Sequence, residues 1–491
     1  MEAITEIAVV TIPAYSHQAS ILEFCKRLVL LQNHGQFHVT CFIPTLGSPP
    51  SASMALIQSL PSSITCTFLP PVNLHDQPLD LPLEVQLQLA VSRSMPLVRE
   101  ALKSLGSSSS LAAMVAEPLS IEALAIAKEL NIISYLYFPC SAMMLSLCFY
   151  SAKLNQRVTC GHQFRDLPVP IEIPGCVPVN GKDLPDNHQD RSSSAYEQFL
   201  QRCQLYHLAE GILLNSFEEM EAGAIRAWQH EEPAGKGQTK KYPSVHAIGP
   251  IIKTGSSIEP NRSDRDCDKC LRWLDTQPPS SVLFVSFGSG GRLSQAQINE
   301  LALGLELSDQ RFLWVNVKSP SDRASASYLS DKNEEDPLHF LPSGFLERTK
   351  ERGLVMASWA PQVQVLGHSS AGGFLSHCGW NSILESIAEG VSIIAWPLFA
   401  EQRTNAAMLA DGLKVAIRPR LSDNNSGIVE KEEISRVIKC IMEDGDEEGE
   451  EIRRRMKELK DAASCALMED GSSTKTLSNL ALKWRNLNHI N

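Results

Sequence analysis

In the run from residue 359 to residue 402, polar and aromatic side chains stand where a strand, a tight loop and a helix are predicted to meet. The first backbone N–H groups of a helix have no partner within it and carry the positive end of its dipole. Those near residues 379–382 can therefore bind a diphosphate. His377 and Ser382 would add an imidazole and a hydroxyl donor to such a site.

The same run offers groups for the rest of a nucleotide sugar. Glu385 lies four residues after Asn381 and so shares its helix face. A carboxylate one turn from a phosphate site is placed to accept hydrogen bonds from ribose hydroxyls. Trp359 and Trp380 offer flat apolar faces for a base and a sugar ring. Each residue alone fits an ordinary core or surface position, but their order and spacing together favour a binding site.

The elements that must position these residues alternate regularly along the chain. Strand-like apolar runs cover residues 6–12, 38–44, 112–118, 133–138, 211–217, 281–287, 311–317, 372–377 and 391–397. Helix-like segments separate them, which favours doubly wound parallel α/β sheets with ligands at the carboxyl ends of the strands. A polar stretch rich in Gly, Pro and Ser at 233–268 is predicted to link two domains, 1–250 and 251–470.

Length and charge agree with this organisation. The chain has 491 residues, which predicts two to four domains, and its formal net charge of −12 argues against nucleic-acid binding. The 13 cysteines are scattered and odd in number, which favours reduced thiols in a cytosol-like compartment. Cys267 and Cys270 form a CxxC pair, but no second pair completes a zinc site.

One segment imitates a membrane span. Residues 132–152 carry no charge and are long enough to cross a bilayer, but Pro139 divides them into a strand-like and a helix-like half. A buried strand–turn–helix is therefore predicted. The first residues contain glutamates and no basic segment, so no signal peptide is expected. Together these features predict a cytosolic monomer without an integral membrane segment.

The run from Trp359 to Gln402 closely resembles the plant secondary-product glycosyltransferase signature of the UDP-dependent glycosyltransferases. The likeness extends along nearly the whole chain, and VLFVSFGSGG, FLPSGFLERT, CLRWLD and PGCVPVNGKDLPD look particularly like the hydroquinone glucosyltransferase (arbutin synthase) group. The resemblance implies a GT-B fold of two Rossmann-like domains facing across a cleft. The N-terminal domain would bind the acceptor, the C-terminal domain the UDP-sugar, and a helix at 471–491 would pack back on the first domain.

The resemblance also implies roles for single residues. Those implied to bind uracil and ribose are Trp359, Ala360 (through its backbone), Gln362 and Glu385. Those implied to bind the diphosphate are Ser289, His377, Asn381 and Ser382. Those implied to line the sugar are Trp380, Glu401, Gln402 and, from the other domain, Ser141. Gln402 is the usual residue of glucose users, so UDP-glucose is the expected co-substrate, and no cofactor or metal is expected.

The candidate for the catalytic base is His17. An inverting transfer needs a base for the acceptor hydroxyl, and an imidazole pKa near 6.5 suits that role at neutral pH. His17 is predicted to lie on the loop after the first strand. In the family this loop resembles P-G-x-G-H-x-x-P, but here it reads P-A-Y-S-H-Q-A-S. The missing glycines and proline predict a differently shaped acceptor pocket.

Glu117 stands where the family has the aspartate that partners this histidine. Glutamate keeps the charge but moves the carboxylate by about 1 Å, a misplacement that can matter to catalysis. Three interpretations stay open. Glu117 replaces the aspartate, His17 acts alone on acidic phenols, or the site has lost ordinary activity.

The leading hypothesis is an inverting glucosyltransferase acting from UDP-glucose on a hydroxyl of a small phenolic or related plant-type metabolite. One alternative is transfer to an aromatic carbon, and another is a UDP-sugar-binding pseudoenzyme with an impaired His17–Glu117 pair. A dinucleotide-dependent oxidoreductase is disfavoured, because Leu293 stands where the fingerprint needs its third glycine. The sequence leaves the acceptor and the regiochemistry open.

Overall fold

The computed structural model describes residues 4–31, 36–78, 81, 83–108, 111–159, 161–229, 232–233, 239–240, 242–253, 264–326, 336–422 and 427–487. The chain divides into two compact units. The first comprises Met1–Lys182, Asn187–Asn261 and Ser464–Asn491, and the second comprises Asp183–Asp186 and Arg262–Ala463. The short segment 183–186 thus belongs to the second unit although both of its neighbours in the chain belong to the first.

The first unit is built on a seven-stranded parallel sheet. The strands of the sheet, in chain order, are β1 (Thr5–Val10), β2 (Phe37–Ile43), β3 (Ile64–Phe68), β4 (Leu111–Ala116), β5 (Ser134–Phe138), β6 (Gly211–Leu214) and β9 (Ser244–Ala247). Between β6 and β9, the short strands β7 (Glu232–Pro233) and β8 (Thr239–Lys240) form a separate antiparallel pair. Across the sheet the order is β3-β2-β1-β4-β5-β6-β9, with every pair parallel. The helices are α1 (Tyr15–Val29), α2 (Ser51–Gln58), α3 (Leu83–Ser108), α4 (Glu122–Glu129), α5 (Ala142–Arg157), α6 (Ser194–Leu205) and α7 (Glu218–Arg226).

The second unit repeats this plan with six parallel strands. They are β10 (Val282–Ser286), β11 (Arg311–Trp314), β12 (Gly353–Val355), β13 (Ala371–Ser376), β14 (Ser392–Ala395) and β15 (Ala416–Ile417). Their order is β12-β11-β10-β13-β14-β15. The helices are α8 (Asp264–Asp275), α9 (Gln295–Ser308), α10 (Phe345–Thr349), α11 (Gln362–Leu366), α12 (Trp380–Glu389), α13 (Gln402–Ala407), α14 (Lys431–Met442) and α15 (Glu447–Leu467). The prediction of doubly wound parallel sheets is confirmed.

Each sheet has one point at which the strand order reverses. In the first sheet it lies between β1 and β4, and in the second between β10 and β13. The connections that leave such a pair of strands diverge to opposite faces, which opens a crevice at their carboxyl ends where ligands bind. Val10 pairs with Ala116, and Ser286 pairs with Ser376. The residues that follow these pairs are therefore brought together at the two crevices.

The cores explain why the strands are nearly continuous apolar runs. All residues of β1 and β5 are buried, as expected for strands covered by helices on both faces. The last helix, α16 (Ser472–Leu487), returns to the first unit and buries Leu477, Leu480 and Trp484 in its core. The Trp484 and Tyr135 rings lie 5.2 Å apart, edge to face.

Two sequence expectations have opposite outcomes. The strand–turn–helix at 132–152 is confirmed, since Pro139 lies between the buried β5 and α5. Within the described ranges, no helix is both long and apolar enough to span a bilayer. The linker at 233–268 is wrong in part. Its residues 244–247 form β9 and its residues from 264 onward begin α8, whereas 234–238, 241 and 254–263 lie outside the described residues.

Candidate active site

His17 lies in the first turn of α1 rather than on a loop, so the loop prediction is wrong. The helix begins at Tyr15, with Ala14 as an extended N-cap residue. The His17 backbone N–H donates to the Ala14 carbonyl at 3.1 Å. Residues 14–20 contain no glycine or proline, so nothing in them opposes an early helix start.

The structure brings Glu117 to His17. Glu117 directly follows β4, and its Oε2 lies 2.5 Å from His17 Nδ1. The Glu117 side chain is fully buried, whereas that of His17 is 25% exposed. Because a carboxylate only accepts, it favours the tautomer with the proton on Nδ1 and a lone pair on Nε2. The arrangement can therefore take a proton at Nε2 and stabilise the resulting imidazolium.

Two hydroxyl residues that sequence reasoning missed hold Glu117 in place. The Thr11 hydroxyl donates to Glu117 Oε1. The Glu117 backbone N–H donates to Ser120 Oγ at 2.8 Å, and that hydroxyl donates to the Val10 carbonyl at 2.7 Å. Both the side chain and the main chain of Glu117 are thus tied to the end of β1. The sequence signal that could have identified them is a hydroxyl residue in the segment after each strand at the reversal point: Thr11 after β1 and Ser120 in the turn after β4.

The loop and helix at the second crevice agree with the prediction. Helix α12 begins at Trp380 after Gly379, directly beyond β13, and ends at Gly390 with a φ of 74°. Its N-terminus thus lies at the carboxyl end of a strand beside the reversal point. Trp380 and Ser382 are buried and Asn381 is half-buried. The helix dipole directs its positive end to this edge of the sheet.

His377 lies between two glycines of this crevice. A Cβ at Gly288 or Gly379 would overlap its imidazole, so only glycine fits at both positions. Burial lowers the pKa of His377 to about 4, so the ring is neutral at pH 7. Its Nδ1 is buried and, in the part of the chain that the structure describes, has no hydrogen-bond partner. His377 can therefore supply a neutral donor but no charge.

The residues expected around the ribose are in contact with one another. The Gln362 amide, at the start of α11, donates to Ser382 Oγ at 2.9 Å and to Glu385 Oε2 at 2.6 Å. Trp359 is half-buried and Ala360 is buried just before this helix. The structure thus brings the predicted ribose residues Gln362 and Glu385 together with Ser382, one of the predicted diphosphate residues, on α11 and α12.

The loop after β10 places Ser289 at the same edge of the sheet, exposed to solvent. Its carbonyl accepts from the Lys318 ammonium, and the Gly288 carbonyl accepts from the Asn316 amide at 2.6 Å. Lys318 is a cation that the sequence analysis did not single out, because no motif includes it.

The turn before α13 orients the two residues expected to line the sugar, Glu401 and Gln402. Gln402 Oε1 accepts from the backbone N–H groups of Leu398 and Phe399 at 2.9 and 3.0 Å. Ala400, which lies between Phe399 and Glu401 in this turn, has a φ of 56°, a left-handed conformation that costs free energy outside glycine.

Asp186 stabilises this turn. Its Oδ2 accepts from the Ala400 N–H at 2.8 Å, and its own N–H donates to the Ala400 carbonyl at 3.1 Å. The Arg403 guanidinium also contacts its carboxylate. Three residues earlier, Asp183 accepts a paired contact from Arg418 at 2.6 and 3.2 Å. Neither aspartate was identified from the sequence.

Ser141 lies in the first unit as the N-cap of α5. Its hydroxyl accepts from the Met144 N–H at 3.1 Å. The next two N–H groups, of Ala142 and Met143, donate to the buried Glu221 carboxylate at 2.9 Å each. Burial raises the pKa of Glu221. The contact of Ser141 with a sugar stays a prediction.

Comparison with known proteins identifies the family of the chain. The chain is 49% identical to the hydroquinone glucosyltransferase of Rauvolfia serpentina over 487 residues, covering 99% of each protein. Residues 261–444 match the family described as UDP-glucoronosyl and UDP-glucosyl transferase. The chain belongs to this family.

Solved structures of similar proteins agree on the architecture. The Phytolacca americana protein UGT2, complexed with UDP-2-fluoro-glucose and pterostilbene, is 43% identical with a TM-score of 0.86 over 99% of this chain and 100% of that one. A UDP-glucosyltransferase from Polygonum tinctorium capable of glucosylating indoxyl, in complex with 3,4-dichloroaniline, is 44% identical with a TM-score of 0.87 over 99% of both chains. The resemblance predicted from the signature is confirmed.

The two units are therefore the Rossmann-like domains of a GT-B fold. As a member of this UDP-sugar family, the chain is a glycosyltransferase whose co-substrate is a UDP-sugar. The crevice at β1 and β4 contains the candidate base, and the crevice at β10 and β13 contains the residues expected to bind the donor.

Proposed function

We propose that this protein transfers glucose from UDP-glucose to a hydroxyl of a small phenol with inversion, His17 acting as the base. The observation that carries the proposal is the contact of 2.5 Å between His17 Nδ1 and the buried Glu117 Oε2. It supports a working pair in spite of the longer glutamate side chain. It also favours the first of the three interpretations of Glu117 over a lone histidine or a pseudoenzyme.

The reaction needs one proton acceptor and one site for the leaving group. The acceptor hydroxyl would donate to His17 Nε2, lose its proton as it attacks the anomeric carbon from the face opposite the diphosphate, and leave an imidazolium paired with Glu117. The departing UDP would be stabilised by the N-terminus of α12 and by Ser382, Asn381 and the neutral His377.

The remaining donor contacts follow from the grouped side chains. Gln362 and Glu385 would bind the ribose, Trp359 and the Ala360 backbone the uracil, and Ser289 the diphosphate. The sugar would contact Trp380, Glu401 and Gln402, with Ser141 from the first domain. Because the Gln402 carbonyl oxygen accepts from two backbone N–H groups, its amide N–H groups would be the part that donates to a sugar hydroxyl.

Glucose and a phenolic acceptor are the favoured substrates because two similar proteins are named for them or were solved with related molecules. The Rauvolfia protein is a hydroquinone glucosyltransferase, and the Phytolacca protein was solved with a stilbene and a glucose analogue. Within the first domain, the candidate base and its partner lie at the strand reversal point where an acceptor would bind.

The experiment that tests this function is turnover by purified protein. UDP-glucose is mixed with a panel of phenols that includes hydroquinone, UDP release is followed, and the product's mass, linkage and anomeric configuration are determined. A β-O-glucoside is expected. UDP-glucose binding by calorimetry without turnover on the whole panel would contradict the proposal and favour the pseudoenzyme. An acid-stable product linked through carbon would favour the alternative of C-glycosylation.

No metal ion is needed in this scheme, because helix N–H groups and neutral donors meet the diphosphate. Turnover is expected to be unchanged by EDTA, and a loss restored by Mg²⁺ would contradict it. We also infer a cytosolic monomer. The cytosolic location is supported by eleven cysteines whose described side chains are free thiols. Sedimentation of the purified protein and imaging of a fluorescent fusion test these two points.

A further inference from the structure

Thr11 holds the carboxylate of Glu117 from the side opposite His17. It directly follows β1, is fully buried, and donates its hydroxyl proton to Glu117 Oε1. His17 Nδ1 occupies the other oxygen, Oε2, at 2.5 Å. We propose that Thr11 is a positioning residue that orients Glu117 toward His17. The inference rests on the proposed role of His17 as the base.

A glutamate at this position needs such a contact. The main chain of Glu117 is already tied to β1 through the Ser120 hydroxyl, which leaves the side-chain torsions as the remaining freedom. Glutamate has one torsion more than aspartate, so a single contact to His17 would leave its carboxylate free to rotate. A buried carboxylate oxygen without a donor would also cost free energy. A threonine is well suited to supply this donor because its β-branched side chain is stiff.

The same sheet contains a second cluster of the same three residue types, which provides a control. On β1 and β2, Thr40 Oγ1 donates to Glu6 Oε1 at 2.6 Å, and His38 Nδ1 lies 2.9 Å from Glu6 Oε2. Glu6 lies near the amino end of β1, so this cluster is away from the crevice at the carboxyl ends. Removing the Thr40 hydroxyl therefore measures how the loss of a threonine–glutamate hydrogen bond in this sheet affects the protein when the bond is not at the candidate active site.

The test compares Thr11→Val with Thr40→Val, each of which replaces a hydroxyl by a methyl group of similar size. Thr11→Val is expected to lower kcat about ten- to a hundredfold, the range for a lost hydrogen bond to a charged group. The KM for UDP-glucose should stay within about twofold, since Thr11 contacts none of the residues expected to bind the donor, all of which except Ser141 lie in the other domain. Thr40→Val should keep kcat, and Thr11→Ser, which restores the donor, should recover most of it.

A double-mutant cycle separates positioning from general destabilisation. In a Glu117→Gln background, Thr11→Val should add little further loss, because the charged carboxylate that Thr11 orients is gone. Thr11→Ala, made alongside in case the valine variant fails to fold, should show the same fall in kcat. Melting temperatures of all variants are measured in parallel.

Several results would overturn the inference: a wild-type kcat in Thr11→Val, an equal loss in Thr40→Val, or additive losses in the double variant. The proposed function fails in a different way. If His17→Ala keeps near-normal turnover, the base assignment itself is wrong. If His17→Ala is inactive while Thr11→Val is fully active, only the role of Thr11 is wrong.

Discussion

At the scale of single residues, the catalytic proposal depends on whether the longer side chain of Glu117 can take the place of the aspartate that the family has beside the histidine. Glu117 meets His17 at 2.5 Å with its side chain fully buried. The buried carboxylate has a donor on each oxygen, from His17 and Thr11. The extra methylene is thereby accommodated within the crevice, and the departure from aspartate need not displace the base.

His17→Ala is expected to lower kcat by about a hundredfold or more with UDP-glucose binding nearly unchanged, because it removes the proton acceptor but no donor contact. Steady-state kinetics measures kcat, and calorimetry measures the binding of UDP-glucose. His38→Ala, which removes the histidine of the second cluster, is the matched control and should keep its activity. A His17→Ala enzyme with normal turnover would rule out the base assignment.

Glu117→Asp is expected to lower kcat about tenfold or more, since a side chain shorter by one methylene cannot contact both Thr11 and His17. The comparison is made at saturating UDP-glucose, with Glu6→Asp as a control that shortens a carboxylate elsewhere on β1. A gain in kcat on Glu117→Asp would show that glutamate is a compromise, and would contradict the view that the pocket is built around it.

At the scale of elements, the strands and helix α12 could be predicted from the sequence, but the first residues of helices α1 and α8 could not. The alternating apolar runs and Gly390 indicate β13, α12 and β14 because burial and a left-handed C-cap are local requirements. The early start of α1 at Tyr15 and of α8 at Asp264 was missed. Polar sequences form helices there, and a polar composition alone does not distinguish a helix from a linker.

The site shows the same division. His377, Ser382 and Glu385 were candidates from their types and spacing, and Gln362 from the family resemblance. The contacts of Gln362 with Ser382 and Glu385 became visible only in the structure. Thr11, Lys318 and Asp186 were not, because their roles depend on contacts between segments far apart in the sequence. Asp186 and Ala400, for example, are hydrogen-bonded but lie 214 residues apart in the sequence, and no spacing pattern relates residues at such a distance.

Asp186 belongs to this scale because it positions a turn. Asp186→Ala is expected to raise the KM for UDP-glucose about three- to tenfold, with little change in kcat, because the left-handed Ala400 loses the acceptor of its N–H and Glu401 and Gln402 shift with it. Glu306→Ala removes another carboxylate paired with an arginine of the same domain, Arg348, and serves as the control. An unchanged KM in Asp186→Ala would contradict the proposed function of this turn.

At the scale of the whole molecule, both domains place their candidate groups at the same topological position. Thr11, His17 and Glu117 follow the strands at the first reversal point, and Ser289 and His377 follow those at the second. The net charge of −12 is compatible with a diphosphate site, because helix N–H groups and neutral side chains can supply the donors. In the proposed function, two copies of one fold would thus serve two different chemical tasks.

Stability is expected to fall in acid through a buried histidine, His188. Burial lowers its pKa to about 3, and its ring packs against Phe164, Tyr196 and Phe199. Between about pH 6.5 and pH 3 the unfolded chain binds a proton there that the native state does not. The free energy of unfolding should therefore fall by about 1.4 kcal/mol for each pH unit of acidification in this window.

Denaturant unfolding of the wild type and of His188→Phe at pH 7.5, 6 and 5 measures this contribution. In the variant, the free energy of unfolding should fall by about 1.4 kcal/mol less for each pH unit of acidification, which corresponds to one proton fewer taken up on unfolding. The reason is that phenylalanine fits the aromatic surroundings and does not titrate. His207→Gln, which removes an exposed histidine nearby in the sequence, is measured alongside as the control for replacing a histidine at the surface. Identical slopes for wild type and His188→Phe would contradict the assignment.

The return of α16 to the first domain has a consequence for synthesis on the ribosome. Leu477, Leu480, Ala481 and Trp484 complete a core whose other buried members come from residues 7–251. At about 5–20 residues per second, translation from the end of that segment to Trp484 takes on the order of ten seconds or more. Throughout that interval the nascent first domain exposes the apolar surface that α16 will cover. We therefore expect chaperones that bind exposed apolar segments to hold the nascent first domain until the last helix leaves the exit tunnel.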